Sequence, residues 1–187
     1  MLFLITHMQS PQTFAHIGRL AETYSESTGF KVDVAVIQEI LSGRGVELHA
    51  FALMTNHVHI ALCEKLEGGI STYMQRVLTA YAKYFNTKYS TVGHVFQTPY
   101  RAIHVVDNNQ LLYLSTYIHR NPRELPGVAG TEHVYPWSSY RDYVTKNRFG
   151  ELLKTSIVLD QFKSELEYHD FVDSSVAKEL IDQMEAY

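Results

Sequence analysis

The sequence predicts an α+β domain, with helices packed on one face of a mostly antiparallel sheet. Three observations carry that prediction. Val46 to Leu62 is a run of strand formers interrupted only by Thr55-Asn56, which reads as a hairpin. Residues 70–85 and 108–119 repeat apolar positions at helical spacing. The coarse order is strand, helix, hairpin, helix, strands, helix and helical tail, which such a layered arrangement accommodates. At 187 residues and 45% hydrophobic content, the chain can bury one core, while 19% charge and 12% aromatic residues argue against disorder.

Element by element, Met1-Leu2-Phe3-Leu4-Ile5-Thr6 is short and apolar, lacks a basic lead, and reads as a buried first strand rather than a signal peptide. Pro11 to Tyr24 has no clean period, and Glu26-Ser27-Thr28-Gly29 is a turn signal. Val32, Ala35, Val36, Ile37 and Ile40 predict an amphipathic helix that Gly43 and Gly45 end. The hairpin follows. After Gly68-Gly69, Ser71 is the expected cap of a helix running to about Asn86, with Ile70, Met74, Val77, Leu78, Tyr81 and Phe85 on one face. Val92 to Val106 reads as two short extended runs around Thr98-Pro99. Asp107 is the N-cap candidate for a helix with Leu111, Leu112, Leu114 and Ile118 inward, and Pro122 is expected to end it. From Trp137 on the tail is helical in pattern, with a last helix expected over Ala177 to Met184.

No stretch approaches the roughly 20 apolar residues of a membrane span, so no membrane partner is expected. Cys63 is the only cysteine, which excludes an intrachain disulfide and makes a reducing cytosol the default. The net charge of −4 is unevenly spread: −3 over residues 1–70, +5 over 71–123 and −6 over 124–187. The central block, with Arg76, Lys83, Lys88, Arg101, Arg120 and Arg123 against Asp107 alone, is where phosphate contacts are expected. Tyr84 and Tyr100 are its candidate stacking platforms. Chance clustering is the plainer reading of the same charges.

Two constellations carry chemistry. His57 and His59 are two apart on a predicted strand, so both imidazoles point to one face, about 7 Å apart at the backbone. Such a pair is a natural set of metal ligands, although ten histidines make the pattern common by chance. In Tyr117-Ile118-His119-Arg120-Asn121-Pro122, Tyr117 and Asn121 share a helix face. An amide oxygen from Asn121 would complete a three-ligand site beside the Tyr117 phenol. With a pKa near 10, that phenol needs activation. Tyr113, one turn earlier on the same face, satisfies the geometry equally; a half-buried tyrosine with a hydrogen-bonded hydroxyl is the plainer reading for any of the thirteen. His119 is expected to be structural or to contact nucleic acid, and His94 and His104 to be satisfied side chains.

The segment Leu48-His49-Ala50-Phe51-Ala52-Leu53-Met54-Thr55-Asn56-His57-Val58-His59-Ile60 resembles the histidine-hydrophobic-histidine motif of the HUH single-strand nucleases, and in particular the REP-associated tyrosine transposases. Tyr81-Ala82-Lys83-Tyr84-Phe85-Asn86, Gly93-His94-Val95-Phe96-Gln97 with Tyr100-Arg101, the Tyr117 to Pro122 segment and Tyr135-Pro136-Trp137-Ser138-Ser139-Tyr140 follow in that family's order. The resemblance covers about Val46 to Val172. It departs before that, where Ile5-Thr6-His7-Met8-Gln9-Ser10 replaces the family's arginine-glycine turn, and after Pro122, where Glu124 makes the loop less basic.

The resemblance implies a ferredoxin-like antiparallel sheet over residues 1–145, with 146–187 as a helical extension packed on the same domain. It implies His57, His59 and Asn121 as ligands of Mg²⁺ or Mn²⁺, and Tyr117 as the nucleophile. The reaction implied is cleavage and strand transfer of single-stranded or hairpin DNA, through a covalent 5′-phosphotyrosine intermediate. The expected setting is cytoplasmic and nucleoid-associated. A tyrosine helix exchanged between subunits would require a dimer, whereas one that reaches its own histidines permits a monomer. The alternative is a domesticated protein that binds DNA hairpins without cutting them.

Overall fold

The computed structural model describes residues 1–12, 14, 16–97 and 100–175. It is a mixed helix-and-sheet protein, with a two-stranded antiparallel sheet among many helices. Two compact units divide the chain: residues 1–47 with 62–103, and residues 48–61 with 104–187. The hairpin strands β1 (Val46–Leu53) and β2 (Val58–Glu64) run through both, and their turn half belongs to the second unit. No helix of the described residues is long and apolar enough to cross a membrane.

The first unit contains α1 (Leu2–His7), α2 (Ile17–Glu22), α3 (Val34–Gly43) and α4 (Gly69–Tyr89). The opening apolar run is helix rather than the expected strand. A continuous apolar run fits either state when it is buried on all sides, and all six residues of α1 are buried. The Thr6 hydroxyl bonds back to the Leu2 carbonyl at 2.9 Å, and Tyr73 of α4 donates to the Ile5 carbonyl at 2.6 Å. His7 stacks on Phe3 at 4.4 Å with Phe30 edge-on at 5.4 Å; burial pushes its pKa down to about 4.

Helix α3 forms as expected, with Asp33 accepting from the Ala35 amide at 2.7 Å. Helix α4 starts two residues before the expected Ser71. Gly68 takes a left-handed backbone (φ 73°) as its N-cap, and Glu64 accepts from the Ile70 amide at 3.0 Å. Gly69 lies so close to the Gly45 carbonyl that no side chain fits between them. The described part of 92–106 forms no strand. Its apolar residues Val92, Ile103 and Val106 stay exposed, because no neighbouring strand covers them; strand propensity is realised only with such a partner. Thr98-Pro99 and the helix expected over Ala177 to Met184 lie outside the described residues.

The second unit is built on α5 (Asn108–Arg120), α6 (Tyr140–Val144), α7 (Ser156–Leu159) and α8 (Glu165–Ser174). Asp107 caps α5 as expected, accepting from the Gln110 amide at 2.8 Å. Pro122 does not push Asn121 out of helical geometry. Asn121 keeps φ −50° and ψ −41°, and the chain continues as a 3₁₀ turn over Asn121–Glu124. The preference against helix before proline is a bias, and here the tighter turn absorbs it. One core cluster joins Tyr140, Tyr143, Val158, Tyr168 and Val172, with Leu111, Leu112, Phe162 and Phe171 against it.

A segment at 137–139 extends the sheet beside β1. The Leu53 amide donates to the Trp137 carbonyl, and the Ser139 amide to the Phe51 carbonyl, each at 2.9 Å, with Ala52 and Ser138 bridged. Arg148 and Asp142 fix that segment. They pair at 2.7 Å while fully buried, and the guanidinium also donates to the carbonyls of Pro136 (2.9 Å) and Ser138 (3.0 Å).

Candidate metal and nucleophile site

His57, His59, Tyr117 and Asn121 all belong to the second unit. The hairpin turn falls at Thr55-Asn56, closed by the Met54 amide donating to the His57 carbonyl at 2.9 Å. Alternation along β2 then puts Ala61 on the same face as the two histidines. Ala61 joins Ala50, Ala52 and Ile118 in a second core cluster, with Leu114 and Tyr117 packed on it. Three alanines leave room for α5 to lie close on the strands, so its partly buried Tyr117 is carried to the histidine face.

The ring of His57 stands 4.8 Å from that of His59, at right angles to it. The ring of Tyr117 meets His59 edge-on at 5.3 Å. Tyr113, its rival by sequence, turns instead to Phe171 of α8 at 6.1 Å. Burial, with the charge of His57 added, lowers the pKa of His59 to about 4; the side chain of Asn121 and the charge of Glu124 pull the other way. His59 is therefore neutral at physiological pH, and its Nε2 is buried with no hydrogen-bond partner. His57 is exposed. Its Nδ1 lies 2.7 Å from the Asn56 amide oxygen, which can only accept, so Nδ1–H donates in that contact. Asn121 is buried, donates from its amide nitrogen to the Tyr117 carbonyl at 3.0 Å, and its side chain also hydrogen-bonds His59.

The donor set fits a divalent cation: two imidazoles and one amide oxygen, with His57 already held by Asn56. Beside it opens a recess lined by Tyr117, Arg120, Asn121, Arg123 and Glu124.

Residues 31–121 match the family described as "Transposase IS200 like". The matched stretch is 91 of the 187 residues and ends on Asn121, so it contains both histidines, the tyrosine and the asparagine. This IS200-like match supports a DNA-acting transposase, in agreement with the motifs. No curated protein and no solved structure matches the chain.

Within and beyond the IS200-like segment, the candidate DNA contacts have separate fates. In the first unit Lys83, Lys88, Tyr84, Tyr100 and Arg101 are exposed. The Lys88 ammonium sits over the rings of Tyr84 (5.6 Å) and Tyr89 (5.5 Å). Arg76 donates to the carbonyls of Met8, Ser10 and Gln12, so it ties the N-terminal segment to α4. In the second unit Arg120 donates to the carbonyls of Val172 and Ser175 at the end of α8, and Arg123 pairs with buried Glu132 at 2.5 Å. The charge block predicted these positions but not that three of its cations serve backbone or a buried carboxylate. His119 is structural: fully buried, stacked on Tyr140 at 5.2 Å, its pKa lowered to about 3 by burial. Sequence reasoning missed Asn56, Ser139 and the Asp142–Arg148 pair; Asn56, directly before His57, was the one with a readable signal.

Proposed function

We propose that the chain is a metal-dependent single-strand DNA endonuclease and strand-transferase of the REP-associated tyrosine transposase type, with Tyr117 as its nucleophile. The observation that carries this reading is the edge-on contact of Tyr117 with His59 inside the IS200-like segment, while Tyr113 packs elsewhere. His57, His59 and Asn121 would hold Mg²⁺ or Mn²⁺, which supplies polarisation of the phosphodiester and stabilises charge on the departing oxygen.

The chain's own residues do the rest. The Tyr117 phenolic oxygen attacks phosphorus and the P–O3′ bond breaks, which leaves a 5′-phosphotyrosine and a free 3′-hydroxyl. The phenolic proton leaves to solvent through the open recess, and the 3′-oxygen takes one up. Because the phosphotyrosine keeps a phosphodiester, a second 3′-hydroxyl can attack it and complete strand transfer without a nucleotide cofactor. Exposed Lys83, Lys88, Tyr84, Tyr100 and Arg101 are proposed to hold the strand, by phosphate contact and base stacking. The domain proposed for this chemistry is 1–145, with 146–187 as its extension, acting on DNA in the cytoplasm. With Tyr117 reaching the histidines of its own chain, this reading permits a monomer.

The test is a labelled pool of single-stranded hairpin oligonucleotides mixed with the full chain and Mn²⁺. A denaturation-resistant adduct, absent with EDTA, is expected. Hairpin binding with no adduct under Mg²⁺ or Mn²⁺ overturns the enzyme reading in favour of a non-cleaving hairpin binder.

A further inference from the structure

His119 lies on α5 between Tyr117 and Asn121, yet its side chain points away from both and into the core. Both ring nitrogens are engaged: Nδ1 is 2.7 Å from the Tyr168 hydroxyl of α8, and Nε2 is 2.8 Å from the Ser139 hydroxyl. Ser139 in turn accepts from the Phe51 amide at 2.8 Å and lies 3.1 Å from the Phe51 carbonyl, which can only accept. Tyr168 also donates to the Ser115 hydroxyl at 3.2 Å, and Ser115 to the Leu112 carbonyl at 2.8 Å, so both neutral tautomers of His119 make its two bonds. With the proton on Nε2, His119 donates to Ser139 and accepts from Tyr168; with it on Nδ1, His119 donates to Tyr168 and accepts from Ser139. Either way the imidazole links α8, α5 and, through Ser139, β1. Tyr140 stacks on one face of the ring at 5.2 Å and Tyr143 meets it edge-on at 4.6 Å, so the imidazole cannot rotate without breaking packing as well.

We propose that His119 is a positioning residue: by anchoring α5 to the Phe51 backbone through Ser139, it sets the helix rotation that brings Tyr117 against His59. A helix turns as a rigid body, so side chains two residues apart are held by the same constraint. The alanine contact of Ala50, Ala52 and Ala61 with Ile118 is smooth and fixes the distance of α5 from the strands. It does little to fix rotation about the helix axis. The two hydrogen bonds of His119 constrain that rotation, together with the bonds of Arg120 to the Val172 and Ser175 carbonyls. Ser139 is suited to its part because Arg148 and Asp142 already immobilise the segment that carries it.

This proposal rests on the nuclease reading for its kinetic consequence, but not for its structural one. The full chain is compared with Tyr168→Phe, Ser139→Ala and His119→Phe, the last keeping a ring in the stack. Imidazole ¹⁵N NMR of the wild type is expected to show His119 neutral, with one ring nitrogen protonated, and a Tyr117–His59 ring NOE that weakens in each folded variant. Single-turnover adduct formation with the hairpin oligonucleotide pool and Mn²⁺ is expected to fall roughly 10²-fold, as for a sub-ångström to 1 Å misplacement of a nucleophile. Affinity for the same pool stays within about threefold, so the loss is in rate and not in binding. An unchanged NOE and rate in Tyr168→Phe and Ser139→Ala overturns the proposal. If His119→Phe fails to fold, the two outer variants decide. If the wild type forms no adduct, the nuclease reading fails, and the NMR comparison alone decides the positioning role.

Discussion

The ring of Tyr117 meets the ring of His59 edge-on at 5.3 Å, although 58 positions separate them in the sequence. One comes from the last turn of α5 and the other from the second strand of the hairpin. The contact singles out one of two tyrosines that share a helix face. Tyr117→Phe is expected to abolish the covalent DNA adduct, and Tyr113→Phe to leave it within a few-fold of wild type. The measurement is a denaturing gel of labelled hairpin DNA; the opposite pattern would transfer the nucleophile to Tyr113.

Neutral His59 with an unpartnered Nε2, and His57 oriented by Asn56, predict Mn²⁺ affinity in the absence of DNA. His59→Ala is expected to remove the calorimetric binding signal. Asn56→Ala is expected to weaken it roughly 10- to 100-fold, the usual effect of freeing a ligand histidine from the group that orients it. Equal Mn²⁺ binding by wild type and His59→Ala would remove His59 from the ligand set.

Three histidines have folded pKa values well below the usual 6.5: His7 and His59 at about 4, and His119 at about 3, each lowered chiefly by burial. Their unfolded counterparts take up a proton first as pH falls. Stability is therefore at its full value above pH 6.5 and declines as pH drops from 6.5 toward 4. The slope approaches about 1.4 kcal/mol per pH unit for each fully neutralised histidine, with His59 contributing less because it is partly open to solvent. Urea denaturation at pH 7.5, 6 and 5 is expected to show a falling midpoint. A flat profile would contradict the burial of these rings.

Asp142 and Arg148 are 0% and 1% exposed at their side chains and support the segment that pairs with β1. Removing one partner strands a buried charge. Asp142→Asn or Arg148→Ala is expected to cost about 3–5 kcal/mol in chemical denaturation. A loss under 1 kcal/mol, on the order of a surface ion pair, would show that the pair is not buried as described.

A side chain at Gly69 would run into the Gly45 carbonyl, whereas one at Gly18 meets nothing within 4 Å. Gly69→Ala is expected to destabilise by about 1–3 kcal/mol, as overpacking does, and Gly18→Ala to be neutral or mildly stabilising. Thermal melts of the two variants side by side check the contrast.

The sequence by itself determined what repeats locally. The alternation of β2 put His57, His59 and Ala61 on one face, the helical spacing of α5 kept Tyr117 and Asn121 together, and Asp107 marked the start of that helix. These are one-dimensional patterns, because a strand or helix converts spacing directly into direction. Only the tertiary structure decided which partner each face meets. It made the first six residues helical, since a fully buried apolar run carries no period to separate helix from strand. It left the described part of 92–106 without a ladder, since a strand exists only where a neighbour accepts its hydrogen bonds. It turned Tyr113 to Phe171 and Tyr117 to His59, and spent Arg76, Arg120 and Arg123 on carbonyls and a buried carboxylate. Such choices depend on groups 9 to 105 positions away, like the Lys154 carbonyl that meets the His49 ring, and no local period records them.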